Sequence, residues 1–237
     1  MVTQITLPDE RWYHIEKTDK YLPSVTWILE SFPKGYGFFR WLAEMPSMDA
    51  AMMARDNAGV IGSKTHNALA DLLEGRKINF DDKYFNDERR EFEKLGLREW
   101  ECLLTFVNFW NENQPKLLEK DIIVYDEEGG FAGTLDAVLE INGEIHLIDF
   151  KTSSAIYDTY WMQVAAYRAA YPKPIHKTSI LRLGTRHKKG YEFVSRTSEE
   201  YSVDLGHFFD VKKVHHIINP ETQPRVKTVP ESIQLTI

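Results

Sequence analysis

The segment from Phe131 to Lys151 constrains this chain more than any other. It reads Phe131-Ala-Gly-Thr-Leu-Asp136-Ala-Val-Leu-Glu140-Ile141, then Asn142-Gly143, then Glu144-Ile-His-Leu-Ile-Asp149-Phe150-Lys151. Asn-Gly between two apolar runs predicts a two-residue hairpin loop, because both central residues of a type I′ turn need positive φ. Ile141 then faces Glu144, and counting back along both strands sets Asp136 opposite Asp149. Side chains alternate along a strand, so Lys151 shares the face of Asp149. Like charges directly opposite one another are destabilising, with Cβ atoms only ~5 Å apart. The neighbours Leu135, Val138, Leu147, Ile148 and Phe150 predict a strand pair buried on both faces. Buried carboxylates without partners are costly, so the pair calls for a cation. Two acids beside a lysine at a strand end point to a divalent-metal site suited to phosphodiester cleavage.

The rest of the chain bounds that reading. With 237 residues, 43% hydrophobic and 27% charged, it suits one globular domain with a helical elaboration. No apolar run is long enough to span a bilayer. The N-terminal residues lack the pattern of a secretory signal or transit peptide, so the expected setting is cytoplasmic. A single cysteine, Cys102, excludes an internal disulfide and a four-cysteine iron–sulfur cluster. The net charge of −7 argues against passive coating of DNA, but not against a local basic groove. Basic residues gather late, at Arg182, Arg186, His187, Lys188 and Lys189.

The chain order predicts an α/β fold with a mixed central sheet flanked by helices and a helical N-terminal region. Residues 23–114 form the helical part and 115–218 the sheet core of one domain covering 1–237. Residues 1–22 read as a short strand or arm. Ser24 is the expected N-cap of a first helix, and Pro33 to Gly37 a break. Helical pieces follow over Phe38 to Met45, Asp49 to Asn57 and Gly62 to Leu73, the last closed by Gly75. A polar connection over 76–87 leads to a long helix or helix pair from Asp87 to Asn113, with Phe92, Leu95, Leu103, Phe106, Val107 and Trp110 as core positions. After the strand over 117–125 and the hairpin come a helix over 155–171, an antiparallel pair around a basic turn, and a last helix over 205–218.

Three motifs in order, Gly133-Thr-Leu-Asp136, Ile148-Asp149-Phe150-Lys151-Thr152-Ser153 and Gln163-Val-Ala-Ala-Tyr167, resemble the PD-(D/E)XK nuclease superfamily, and within it the RecB-type exonucleases. Pro23-Ser24-Val25-Thr26 and the second motif are also similar to the mitochondrial genome-maintenance exonuclease branch and its phage and bacterial relatives. The resemblance implies a restriction-endonuclease-like core, Mg²⁺ or Mn²⁺ as cofactor and DNA as partner. It places Asp136, Asp149 and Lys151 in catalysis, with metal held by the two acids and the backbone carbonyl of Phe150. It adds His66 as a metal ligand through neutral imidazole and Glu119 as a further acid. Gln163 and Tyr167, one helical turn apart, are expected near the scissile strand. The subgroup bearing an iron–sulfur cluster is excluded by the lone cysteine.

Trp27, Phe32, Tyr36, Phe38, Phe39 and Trp41, interleaved with Lys34 and Arg40, read either as helical core or as a base-stacking surface. Tyr36, between two glycines, is the expected exposed stacker. Arg186 and Lys188 read either as a solvated loop tip or as phosphate contacts. The first expectation is a DNA exonuclease acting on single strands or frayed ends in repair, recombination or replication. A structure-specific endonuclease of the same fold and a non-catalytic nucleic-acid scaffold are the alternatives. No protein partner is evident.

Overall fold

The computed structural model describes residues 1–86, 89, 91–227 and 234. Three strands, β1 (Val2–Leu7), β2 (Glu10–Ile15) and β3 (Lys20–Pro23), form an antiparallel sheet at the N-terminus. Helices α1 (Val25–Glu30), α2 (Tyr36–Glu44) and α3 (Met48–Leu73) follow, then a small hairpin of β4 (Lys83–Asn86) and β5 (Glu91–Lys94), and α4 (Leu97–Asn113). The remainder is β6 (Lys116–Asp126), β7 (Phe131–Ile141), β8 (Glu144–Lys151), α5 (Asp158–Ala170), β9 (Lys177–Leu183), β10 (Tyr191–Arg196) and α6 (Ser198–Ile218). The main sheet has the order β10-β9-β8-β7-β6, with β8 and β9 parallel and every other pair antiparallel. It is a mixed sheet, as the chain order predicts, and α5 is the crossover that parallel neighbours require.

Helices cover both faces. On one, Val25 and Ile28 of α1, Val164 of α5 and Phe208 of α6 pack with Phe131, Leu135, Leu147 and Ile180. On the other, Leu69 of α3 and Leu103, Phe106 and Phe109 of α4 pack with Leu139, Ile148, Phe150 and Leu181. This two-sided burial explains why β7 and β8 read as nearly continuous apolar runs. A buried ion pair, Lys64–Glu99 at 2.7 Å, ties α3 to α4. Among the described residues no helix is long and apolar enough to cross a membrane.

Four expectations are corrected. Residues 1–22 are not a lone arm, because strands on either side of Arg11–Ile15 pair with it. The pieces separated at residues 58–61 are one 26-residue helix, α3, which runs through Gly59 and Gly62. A hairpin, not a helix, precedes α4, which begins at Leu97; Asp87, where the helix was expected to start, lies outside the described residues. Phe92 falls on β5 and is 65% exposed, and Val107 faces solvent on α4.

Candidate active site

The site grows from the hairpin. Asn142 and Gly143 have φ of 52° and 81°, the left-handed pair that a type I′ turn demands. The register counted from the turn holds from Ile141/Glu144 to Ala137/Ile148. There the β7–β8 ladder stops, one position short of Asp136/Asp149, although both strands continue. Beyond that point β7 stays paired with β6, with one further bridge from Ala132 to Ser24, and β8 with β9 alone. The β6–β7 ladder also skips the Asp121/Asp136 position, where Asp121 has a φ of 49°. Strict alternation breaks at the same place: Leu135 and Val138 join one core, Ala137 and Leu139 the other. The sheet forks at Asp136 and Asp149.

Each acid is held from a different layer. On the α3 side, Asp136 Oδ1 lies 3.2 Å from His66 Nδ1. Asp136 Oδ2 accepts the Phe150 backbone N–H at 2.7 Å, the group that the fork deprives of a β7 carbonyl. In a strand the N–H and C=O of one residue point to the same side, so the Phe150 carbonyl is turned to the fork as well. Gly62, one turn before His66, brings α3 close to Thr152; a Cβ there would stand 3.8 Å from its hydroxyl.

On the α5 side, Asp149 Oδ2 pairs with Lys151 Nζ at 2.7 Å, and Asp149 Oδ1 accepts from Gln163 Nε2 at 2.8 Å. Gln163 Oε1 accepts from Lys151 Nζ at 3.0 Å, and Gln163 Nε2 also donates to the Tyr167 hydroxyl at 3.1 Å. One amide thus closes a ring with the acid and the lysine, and a flip would break its bonds to both. The Tyr167 ring lies directly on Gly133, which explains the glycine in the first motif. Tyr160 adds a wall that the sequence reading missed, its ring centroid 4.5 Å from Lys151 Nζ. Its signal was available: positions 160, 163 and 167 share one helical face.

The charges of the cluster are coupled. Burial, reinforced by the Asp136 charge, pushes the Asp149 carboxyl up to about 6 against the pull of Lys151. Burial acts in the same direction on Asp136, but His66, Lys151 and the Phe150 N–H outweigh it and hold Asp136 below the usual carboxylate range. Burial lowers His66, yet the two acids more than compensate and raise it. Lys151 is likewise raised by the acids against its burial. Lys151, His66 and the Phe150 N–H each offset part of the charge of the two carboxylates. His66, expected as a metal ligand through neutral imidazole, lies against Asp136 at 3.2 Å.

The remaining candidates fall in three places. Gln163 and Tyr167, expected beside the substrate, are both buried inside the cluster. The Glu119 carboxylate is engaged elsewhere, in an ion pair with Lys173 beyond the end of α5. Arg186 and Lys188 are exposed on the β9–β10 turn. That turn lies at the same end of the sheet as the site, because β8 and β9 are parallel and Lys151 pairs with Arg182. Tyr36 is 81% exposed on α2, which buries none of its residues. Among the described residues no group of three or more His, Cys, Asp or Glu stands together in a way that could hold a metal ion.

No family model matches the chain, and no curated protein matches it. Among solved structures the chain is similar to that of "Crystal structure of SSO0001", at 14% sequence identity and a TM-score of 0.31, over 51% of this chain and 60% of that one. The chain thus spans about 60% of the length of that protein.

Proposed function

We propose that the protein is a divalent-metal-dependent DNA exonuclease with a restriction-endonuclease-like core, of the RecB type within the PD-(D/E)XK superfamily, acting on single strands or frayed ends. The observation that carries the reading is the closed ring of Asp149, Lys151 and Gln163 beside Asp136, set where β7 and β8 part. A buried acid displaced to about 6 by burial and a neighbouring acid marks a site tuned for more than stability.

The donor set fits magnesium or manganese, which take one or two carboxylates, carbonyl oxygens and water. Asp136, Asp149 and the Phe150 carbonyl would hold the ion, and Asp149 Oδ2 supports this, since its one polar neighbour is the Lys151 ammonium. His66 would join them by exchanging its contact with Asp136 for the ion. A bound ion supplies an activated water and offsets charge on the scissile phosphate. Lys151 keeps its proton and offers a fixed positive charge to a phosphate oxygen. Gln163 fixes the bearing of both partners, and Tyr160 limits where the ammonium can swing. The exposed aromatics Tyr36 and Phe39 on α2 offer faces for unpaired bases, and Arg186 and Lys188 offer charge for the backbone.

The test is Mn²⁺-dependent digestion of end-labelled linear and of circular single-stranded DNA by the intact chain and by Asp149→Ala and Lys151→Ala. Linear DNA should be degraded, the circle should survive, and both variants should lose orders of magnitude in rate. Equal cleavage of the circle would move the reading to an endonuclease. Equal activity of the variants would remove the site.

A further inference from the structure

Arg182 belongs to the basic residues that gather late in the sequence, yet it does not join them on the surface. Arg186, His187, Lys188 and Lys189 are exposed on the β9–β10 turn, whereas the Arg182 side chain is 11% exposed. The sheet fixes its place. Arg182 lies beside Lys151 in the parallel β8–β9 register and beside Glu192 in the antiparallel β9–β10 register. Ile180 and Val194, two residues away on each strand, pack into the core on the α5 face. Arg182 and Glu192 therefore point to the same side of the sheet as Asp149 and Lys151.

Like charges on neighbouring strands repel, and the two cations are drawn apart by different acids. Lys151 Nζ goes to Asp149 at 2.7 Å. Arg182 goes to Glu192, whose Oε2 accepts from Nε at 2.8 Å and from Nη2 at 2.6 Å. That leaves Nη1, which donates to the backbone carbonyls of Ser154 at 2.8 Å and of Ser153 at 3.4 Å. These carbonyls belong to the segment that joins Lys151 to α5 and lies in neither strand nor helix. The same segment leads back to the lysine. The Ser154 hydroxyl is 3.3 Å from that of Tyr157, the Tyr157 ring packs edge-on against Tyr160 with centroids 5.4 Å apart, and Tyr160 stands against Lys151 Nζ.

We propose, on the nuclease reading above, that Arg182 is a positioning residue for the reaction: held by Glu192, it braces the Ser153–Ser154 backbone and thereby sets the bearing of Lys151 and Tyr160. A guanidinium suits the task, because its rigid planar fork fixes an acid on one edge and a backbone on another at once. Glu192 carries the brace on to the β9–β10 turn, since His187 Nε2 stands 3.9 Å from the same carboxylate oxygen. The exposed basic turn and the buried lysine are thus anchored through one acid.

The experiment takes the full chain, Arg182→Lys and Glu192→Gln. It measures kcat and KM for Mn²⁺-dependent degradation of end-labelled single-stranded DNA, and backbone nitrogen-15 order parameters over residues 152–157 in the absence of DNA. Lysine keeps the charge but replaces the fork by a single point, so kcat should fall by about tenfold to a hundredfold, the effect of misplacing a reacting group by about 1 Å, with KM changed by less than about twofold. The order parameters of the segment should drop from about 0.85 toward about 0.6. Glu192→Gln leaves the guanidinium an acceptor and should lower kcat by a smaller factor; it serves if Arg182→Lys does not fold. Unchanged kcat or an unchanged segment in the folded variants overturns the proposal. So does a rise in KM with kcat held, which would make Arg182 a contact of the strand. An inactive parent chain overturns the nuclease reading instead, and the order parameters, which need no substrate, then decide whether Arg182 is the brace.

Discussion

Asp136 Oδ2 accepts the Phe150 backbone N–H at 2.7 Å, so a side chain completes the hydrogen bonding of a strand whose ladder has ended. Asp136→Ala should leave that N–H without a partner and cost about 1–3 kcal/mol. Asp136→Asn keeps an acceptor and should cost less. Because the Asp136 carboxyl is held below its ordinary value, its charge stabilises the fold above the unfolded value and the benefit is lost as pH falls through the folded one. Urea titrations should show the penalty of Asp136→Asn near neutral pH shrinking on acidification. A variant more stable than the parent at pH 7 would contradict this account.

Asp149 has the opposite sign. Its carboxyl is raised from 3.8 to about 6, first by burial and then by Asp136. The contribution of the protonated group is whole below the unfolded value and is lost as pH rises through about 6, a change of about 3 kcal/mol. Carbon-13 NMR of the Asp149 carboxyl in EDTA-treated protein should give a midpoint near 6. Lys151→Met removes the cation that holds it down and should move the midpoint higher. A midpoint near 4 in the parent chain would show that water reaches the group freely.

The hairpin was legible because its instructions are local: Asn142 and Gly143 alone set the turn, and the turn sets the register. The fork was not, because Asp136 and Asp149 bond to His66 on α3 and Gln163 on α5, contacts that strand periodicity does not see. Residues 58–61 were left between two helical pieces, yet α3 runs through Gly59 and Gly62, and Gly62 is where it approaches Thr152. The N-terminal sheet was half legible: Arg11–Ile15 alternates, but Val2–Leu7 and Lys20–Pro23 reveal themselves only as its partners. Phe92 was misplaced because a helical phase was applied to a strand. Gln163 and Tyr167 were found as a pair, but sequence spacing could not show that they face inward and hold Asp149.

Tyr160 stands against Lys151, with Nζ 4.5 Å from the ring centroid. A cation over an aromatic face contributes about 1 kcal/mol, equivalent to about fivefold in rate. Tyr160→Leu should lower kcat on single-stranded DNA by about that factor with KM little changed, since the ring steadies the lysine and does not bind the strand. Tyr160→Phe keeps the ring and should retain activity. A loss shared equally by both variants would assign the effect to the hydroxyl.

Gly133 leaves no room for a side chain against Tyr167. A Cβ on Gly133 would overlap Cε1 of the Tyr167 ring, which is buried and cannot swing aside. Gly133→Ala should therefore cost about 1–3 kcal/mol through overpacking. Tyr167→Leu alone should also cost stability, because it strips a bond from Gln163 and leaves a void beside the glycine. In the double variant the methyl fills part of that void. The two penalties should then fall short of additivity by more than about 0.5 kcal/mol, measured by urea unfolding. Strict additivity would mean that β7 yields at Gly133, and the ring would no longer be what holds this strand against α5.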